Sequence, residues 1–374
     1  MSTIGLRFTL PIALGLLTRI ASAQASNAAA DSTAVSARSG VRPTTTALRV
    51  LPVIGSAPET GFVGGATVLR VSSYVNDTIT RPSSEQLYAS YTTKHQFRAF
   101  VSTDRWSVDN RWGLTGQIEY ARFPQPFFGL GIDAPEEAEE WYEARSTSAS
   151  VTVRHRILGA VYGQAGYRFS TTSIRDAEPG GAVERGVLPG MRGGIVSQVT
   201  WGLALDSRDN IFAPSAGTFA QATGAWGAEV LGSDHQFGRY VGDARRYVRL
   251  GHGVLAAQAY VEASSGRVPF DQMAMLGSGS VMRGYVRGRY RDRSLAAAQV
   301  EYRLTLAGRL GLAGFAGAGT VAPTLADLPS TRLLPSVGAG ARWLLLPKQR
   351  TTVRVDYGVG KGSSGLYIAF NEAF

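Results

Sequence analysis

The chain contains no cysteine. That absence excludes a disulfide scaffold, a thiolate metal centre and a cysteine nucleophile. Histidine is nearly as scarce: the four imidazoles, His95, His155, His235 and His252, are scattered with no spacing that selects a catalytic or metal-binding set. No segment after the first two dozen residues approaches 18 consecutive apolar residues, so no helical membrane span is expected. Charged residues make up only 18% of the chain. The 45 glycines follow no third-residue period, which argues against collagen and wholesale disorder. Enzyme chemistry is not expected, and neither a cofactor nor a metal is implied.

The formal charge is +10, and the four Arg and one Asp before residue 46 account for part of it. No basic stripe is interleaved with stacking aromatics, so nucleic acid is not an expected partner. The acidic run Glu136, Glu137, Glu139 and Glu140 lacks His or Ser partners and reads as a solvated loop. The Gly-rich stretch 277–284 has no Lys-Ser/Thr pair and no following helix, which excludes a phosphate cradle.

Residues 1–23 have the form of a secretory signal. Arg7 precedes an apolar stretch from Phe8 to Leu17, and Ala21-Ser22-Ala23 offers a small-residue cleavage site, so the mature chain is expected to begin at Gln24. Residues 24–45 are rich in Ala, Ser and Thr without any period, the composition of a linker.

From residue 46 to 374 one pattern repeats: about ten residues of alternating polarity, then a turn rich in Gly, Pro, Asn, Asp or Ser. Trp112, Leu114, Gly116, Ile118 and Tyr120 share one face, with Gly113, Thr115, Gln117 and Glu119 on the other. The same division separates Val353, Val355 and Tyr357 from Arg354 and Asp356, and Val300, Tyr302 and Leu304 from Gln299, Glu301 and Arg303. Charges keep to one face because a lipid-facing charge at mid-depth costs about 2–4 kcal/mol, while one in a wet lumen stays hydrated. Counting units gives sixteen strands, starting near residues 47, 61, 85, 97, 112, 143, 161, 197, 218, 236, 254, 295, 309, 333, 351 and 366. Short and long connections fall mostly on opposite sides of that count. The expected fold is an all-β, sixteen-stranded antiparallel transmembrane β-barrel; a soluble sandwich or propeller is the alternative, without a blade repeat to support it.

Three motifs add detail. The last strand carries Leu366, Ile368 and Phe370 at alternate positions and reaches Phe374, the form of a C-terminal assembly signal, although Glu372 stands third from last. Asp206-Ser207-Arg208-Asp209-Asn210, followed by Pro214 and Gly217, has turn chemistry: acids and amides cap backbone N–H groups, and Gly permits a tight reversal. Met282-Arg283-Gly284-Tyr285 lies in the longest connection, before the twelfth strand. With the last two motifs the chain resembles the bacterial surface antigen superfamily of outer-membrane barrels, the BamA/TamA-like proteins. Phe127-Phe128-Gly129-Leu130-Gly131 and Pro58-Glu59-Thr60-Gly61 extend the resemblance over the barrel.

The resemblance implies that the Asp206–Gly217 motif is the periplasmic turn between strands 8 and 9, and that Arg283 sits on a loop folded into the lumen with Glu301 as acidic partner. Relatives carry a second acid in strand 13, where this chain has Gly317, so a single-carboxylate tether weaker than theirs is expected. They also carry periplasmic POTRA repeats of about 75 residues ahead of the barrel, for which the linker leaves no room. The implied function is help in inserting or translocating outer-membrane proteins or lipids through a weak seam between the first and last strands; a passive pore or structural surface protein is the alternative. Implied partners are outer-membrane lipid, client outer-membrane proteins and a separate periplasmic subunit, at the outer membrane of a Gram-negative bacterium.

Overall fold

Alternating polarity becomes a closed sheet in the computed structural model, which describes residues 44–374 except 78, 307, 348 and 349. The proposed signal and nearly all of the linker lie outside the described residues. The first eight strands are β1 (Thr44–Ala57), β2 (Gly61–Tyr74), β3 (Ser83–Thr92), β4 (Phe97–Trp106), β5 (Trp112–Phe127), β6 (Glu140–Leu158), β7 (Val161–Arg175) and β8 (Gly194–Asp206). Then come β9 (Gly217–Gly227), β10 (Phe237–Leu250) and β11 (Gly253–Gly266), with β12 (Ala274–Leu276) and β13 (Tyr290–Asp292) forming a small separate hairpin. The wall resumes with β14 (Ser294–Thr305), β15 (Leu310–Ala322), β16 (Leu334–Leu346), β17 (Thr351–Gly360) and β18 (Ser363–Phe370). Sixteen of these strands close into one antiparallel barrel in which β14 follows β11 directly and β18 meets β1. The barrel is the expected one; β1 begins slightly earlier than expected, at Thr44, inside the stretch read as linker.

The two faces of the wall differ as lipid and lumen require. Outward positions expose Leu114, Ile118, Val151, Leu203, Val300, Leu312 and Val355, an apolar surface too extensive for water. Inward positions bury Gln258, Gln299, Glu301, Arg303, Arg342 and Asp356. The lumen is filled because the 267–293 connection folds into it. Leu276, Met282 and Tyr285 of that connection pack with Leu295, Val321 and Leu334 on the inner wall, and none of the six is more than 1% exposed. Above them Phe127, Tyr142, Val183, Met191 and Phe270 form a second apolar cluster that caps the rim carrying the long connections.

Closure is uneven. β1 pairs with β2 along its whole length, from Thr44↔Tyr74 to Ala57↔Gly61, yet its register with β18 is carried by one pair, Ser56↔Ile368. β18 stops at Phe370, leaving most of β1 below Ser56 with no strand on that side among the described residues. Leu48, Val50 and Ile54 are correspondingly 60–69% exposed.

The terminal strand is shorter than its alternation suggests. Leu366 and Phe370 are exposed on the outer face and Ile368 is half-buried beside the seam, but Asn371 adopts a positive φ of 61° and turns the chain inward. Its amide N–H donates to Thr352 O (2.7 Å). Phe374 consequently lies inside the lumen against Tyr247 and Ala256, 4% exposed, and does not extend the lipid-facing row.

Candidate functional site

Glycines create the slot into which the lumen loop fits. Following the register inward from Glu301 leads to Phe315, then Gly338, then Gly358. The Phe315 ring lies over Gly338, where a Cβ would sit 2.2 Å from the ring. A Cβ on Gly358 would fall 2.8 Å from Gly284 N, so the Arg283-Gly284 backbone needs that glycine to lie against β17. Gly284 itself has φ of 109°, a conformation in which side chains are strained. Tyr367 Oη accepts a hydrogen bond from Gly284 N (2.8 Å), while Tyr285 Oη donates to Pro335 O (2.6 Å) and accepts from Lys361 N (2.9 Å).

Held this way, Arg283 is wholly buried. Its Nη2 donates to Glu301, its Nη1 donates to Asp356 (2.5 Å), and its guanidinium stacks over Phe315 with Cζ 3.5 Å from the ring centroid. The expectation of one carboxylate is corrected here: the second acid comes from Asp356 on β17. A side chain at Gly317 would collide with Gln299 Cβ (2.9 Å) and crowd Met282 Sδ (3.2 Å), so Met282 occupies the space that a β15 acid would take.

The two acids belong to a larger cluster. Glu301 also accepts from Arg303 Nε (2.6 Å) and lies 3.4 Å from Arg342 Nη2; Asp356 also accepts from Arg354 Nη1 (2.6 Å) and from Arg342. Glu372 accepts from Arg342 Nε (2.8 Å) and sits 3.5 Å from Arg303 Nε. Arg303 Nη2 further donates to Phe374 O (2.8 Å). Four guanidiniums thus share three carboxylates, and the network runs without a break from the lumen loop to the chain's last residues. Glu372, which departs from an aromatic assembly signal, is one of its members.

The second motif lies at the rim that carries both ends of the barrel sheet, 206–217. Asp206 accepts from Arg208 Nε and from Arg81 Nη2, both at 2.9 Å. Asn210 Oδ1 caps Phe212 N and Ala213 N (2.8 Å each), and Asp209 accepts from Ser215 N (2.8 Å), Ala216 N (3.1 Å) and Arg350 Nη1 (3.0 Å). Pro214 is buried, and Gly217 has φ of 104° with Ser207 O only 2.3 Å from where a Cβ would stand. Burial alone would raise the Asp209 carboxyl, but the Ser215, Ala216 and Arg350 hydrogen bonds outweigh it and hold it well below the usual carboxylate range. This turn also touches the inturned tail, through Glu372 N to Phe212 O (3.3 Å).

Sequence does not single out as a site Arg303, Arg342, Arg354, Asp356, Tyr367 or Ser336, whose Oγ donates to Arg283 O. Alternation marks each as inward-facing; what identifies them as a group is register, because Arg342 pairs directly with Arg354 and two facing guanidiniums require an acid between them. Among the described residues, no group of three or more His, Asp or Glu is arranged to hold a metal ion.

An Omp85 superfamily domain model matches residues 81–361. Among solved structures the chain is similar to BamA from Haemophilus ducreyi lacking POTRA domains 1–3, with TM-score 0.61 and 15% identity over 88% of this chain and 70% of that one. It is similar to CdiB from Acinetobacter baumannii (TM-score 0.55, 13% identity, 88% of this chain and 65% of that one). It is also similar to CdiB from Escherichia coli (TM-score 0.53, 10% identity, 88% and 67%). At these identities the likeness establishes the fold. No curated protein matches the chain.

Proposed function

From the premise that this chain belongs to the Omp85 superfamily, we propose that it is an outer-membrane barrel that helps insert or translocate outer-membrane proteins or lipids, acting through its wall and not as an enzyme. The long connections face the outside and the rim with both ends of the sheet faces the periplasm. Residues 1–23 are a cleaved signal and 24–43 a linker. Its partners are outer-membrane lipid, client barrel proteins and a separate periplasmic subunit that delivers them. Leu366, Ile368, Phe370 and Phe374 are read during the barrel's own assembly.

The observation that carries this reading is the seam. One registered pair joins β1 to β18, so the edge of β1 below Ser56 offers N–H and C=O groups that no strand among the described residues pairs. Such an edge is a template on which an incoming strand adds by main-chain hydrogen bonding. In a bilayer an unsatisfied backbone group costs several kcal/mol, so pairing with a client strand is strongly favoured. Both seam strands lie outside the matched residues 81–361, and the reading therefore rests on this chain's own register. Arg283 on its tether keeps the lumen closed, so material moves through the wall and ions do not leak down the axis.

The test uses Ser56→Cys with Ile368→Cys. Directly opposed strand residues lie within disulfide reach, and the cysteine-free chain gives no background. Oxidation should abolish the barrel's acceleration of test-barrel folding into liposomes, and reduction should restore it. Unchanged acceleration in the oxidised protein, or a steadily open salt-filled channel in the wild type, defeats the proposal; the second outcome would favour a passive pore.

A further inference from the structure

The outer wall carries an unusual concentration of charge at one height. On β5 the lipid-facing row runs Trp112, Leu114, Gly116, Ile118, Tyr120 and then Arg122. Ten residues separate Trp112 from Arg122; at about 3.3 Å per residue and a tilt of about 40° they rise about 25 Å, the height of a barrel's apolar band. Arg122 therefore stands just beyond the acyl chains, at head-group level on the long-loop side. Its in-register neighbour on β6 is Arg145, and the carboxylate between them is Glu143, whose own neighbour on β7 is Arg175. Glu143 accepts from Arg122 Nε (2.6 Å) and Arg145 Nε (2.5 Å).

This grouping is incomplete as a protein structure. Three guanidiniums face outward with one carboxylate, and two of them are directly opposed across a strand pair, an arrangement that is destabilising by itself. Arg122 and Arg145 each engage Glu143 through Nε alone, leaving their terminal nitrogens without a partner among the described residues. Arg175 has no ion pair or side-chain hydrogen bond among the described residues. The nearby acid Glu178 is turned to Trp141 N (3.1 Å). Glu143 is covered, while the Arg122 and Arg145 side chains are 42% and 43% exposed, so Glu143 serves to hold the two forks apart and facing out. Tyr120 and Trp141 flank the cluster, and Ile118, Val151 and Val153 form an apolar wall below it, all of them exposed.

We propose that Arg122, Arg145 and Arg175, positioned by Glu143, bind the phosphate groups of an outer-leaflet glycolipid of the lipopolysaccharide type, whose acyl chains lie along Ile118, Val151 and Val153. The excess of two positive charges matches a phosphomonoester dianion, whereas a glycerophospholipid diester supplies one negative charge. Guanidinium forks bind phosphate oxygens bidentately, which needs the terminal nitrogens left free here. Aromatic rings at the same height suit the membrane interface. A smaller outward grouping at the opposite rim, Arg70 and Arg105 around Glu85, has one guanidinium fewer and an excess of one positive charge, and provides an internal control.

The inference rests on the orientation given under Proposed function. Thiol labelling of Ala138→Cys on whole cells tests that orientation separately; no labelling of intact cells would sink the orientation and leave the chemistry of the site to the titration. That titration is done on the purified full-length barrel in detergent by native mass spectrometry, with bisphosphorylated lipid A, its monophosphorylated form and phosphatidylglycerol. Bisphosphorylated lipid A should bind at least about tenfold more tightly than phosphatidylglycerol, with the monophosphorylated form between them. The triple change Arg122→Gln, Glu143→Gln and Arg145→Gln, which leaves no orphaned acid, should remove that preference, and Arg105→Gln should not alter it. Arg175→Gln breaks no internal bond and should weaken lipid A binding several-fold even if the triple variant fails to fold. Equal affinity for lipid A and phosphatidylglycerol in the wild type, or wild-type lipid A binding by Arg175→Gln and a folded triple variant, overturns the inference. Because the readout is lipid binding, loss of insertion activity alone would leave it standing.

Discussion

Replacing Arg283 with Met measures how firmly the lumen loop is held. The change removes a wholly buried guanidinium that donates to Glu301 and Asp356 and stacks on Phe315, while keeping most of the side-chain volume. Neither acid is orphaned, since Glu301 retains Arg303 and Asp356 retains Arg354. What is lost is two charge-assisted hydrogen bonds, about 1.5–3 kcal/mol each, and a desolvated cation–π contact of about 2 kcal/mol. The desolvation of the guanidinium offsets much of this, leaving a net loss of about 3 kcal/mol. At 1.4 kcal/mol per decade, the ratio of closed to open loop falls about a hundredfold. Asp356→Asn should do at least as much, because it leaves four guanidiniums with two carboxylates. The double variant should fall short of the sum on a logarithmic scale, since removing Arg283 relieves the repulsion that the lost acid creates. The assay is open probability in planar bilayers, with heat-modifiable gel migration confirming a folded barrel. Fully additive logarithmic effects would show that Arg283 and Asp356 act independently, and unchanged conductance in both single variants would show that this loop does not close the lumen.

Phe374→Ala should cost about 3 kcal/mol of barrel stability, as for a buried ring, whereas Phe370→Ala on the lipid face should cost little; thermal loss of heat-modifiable migration ranks the two, and the reverse order contradicts the inturned tail. Asp209 is held below its unfolded value of about 3.9, so its contribution is intact above that pH and disappears as pH falls through the lower folded value. The melting temperature of the wild type should therefore drop more steeply below about pH 4 than that of Asp209→Asn, and parallel profiles would refute the assignment. Intact mass of the exported chain should place its first residue at Gln24; a mature chain retaining Met1 rejects signal cleavage. Spin labels at Val50 and Leu366, each measured against Gln258, should give a broad distance distribution for β1 and a narrow one for β18, and equal widths would contradict a seam that opens from the β1 side.

Sequence makes the barrel legible because its signal is redundant. Each strand repeats the same constraint, that charges avoid lipid, so an error at one turn leaves the others intact, and most strand starts fall within a few residues of the alternation pattern. The β12–β13 hairpin escaped because three-residue strands are too short to show a period. The tail escaped for a different reason. Phe374 has the parity of Leu366 and Phe370, and parity places it in lipid, but one residue with positive φ at Asn371 redirects everything after it. The Arg283 tether was half legible: Glu301 and Asp356 both have inward parity, yet they stand on strands separated by β15 and β16. Whether they converge depends on the barrel's shear, which no single strand encodes. Gly338 and Gly358 are the local trace of that convergence, since two glycines on the inward row leave room for a loop backbone.

The same cluster makes the seam asymmetric. On one side, β18 is bonded to β17 from Val353↔Phe370 to Gly360↔Ser363, and its continuation is fastened inside the barrel through Glu372 to Arg342 and through Phe374 to Arg303. Those anchors lead by way of Glu301 and Asp356 to Arg283, so releasing β18 means disturbing buried ion pairs, each costing about 3–5 kcal/mol when one partner is removed. On the other side, among the described residues β1 is tied through β2 and the single Ser56↔Ile368 pair, with apolar side chains exposed along its length. The work of opening is therefore unequal: parting the seam costs a few main-chain hydrogen bonds if β1 moves and an ionic network if β18 moves. A templating edge must yield without unlocking the lumen. Concentrating the buried charge beneath β14 to β18 and leaving β1 nearly free meets both requirements of the proposed seam, because the strand proposed to admit a client carries none of the contacts that hold the lumen loop.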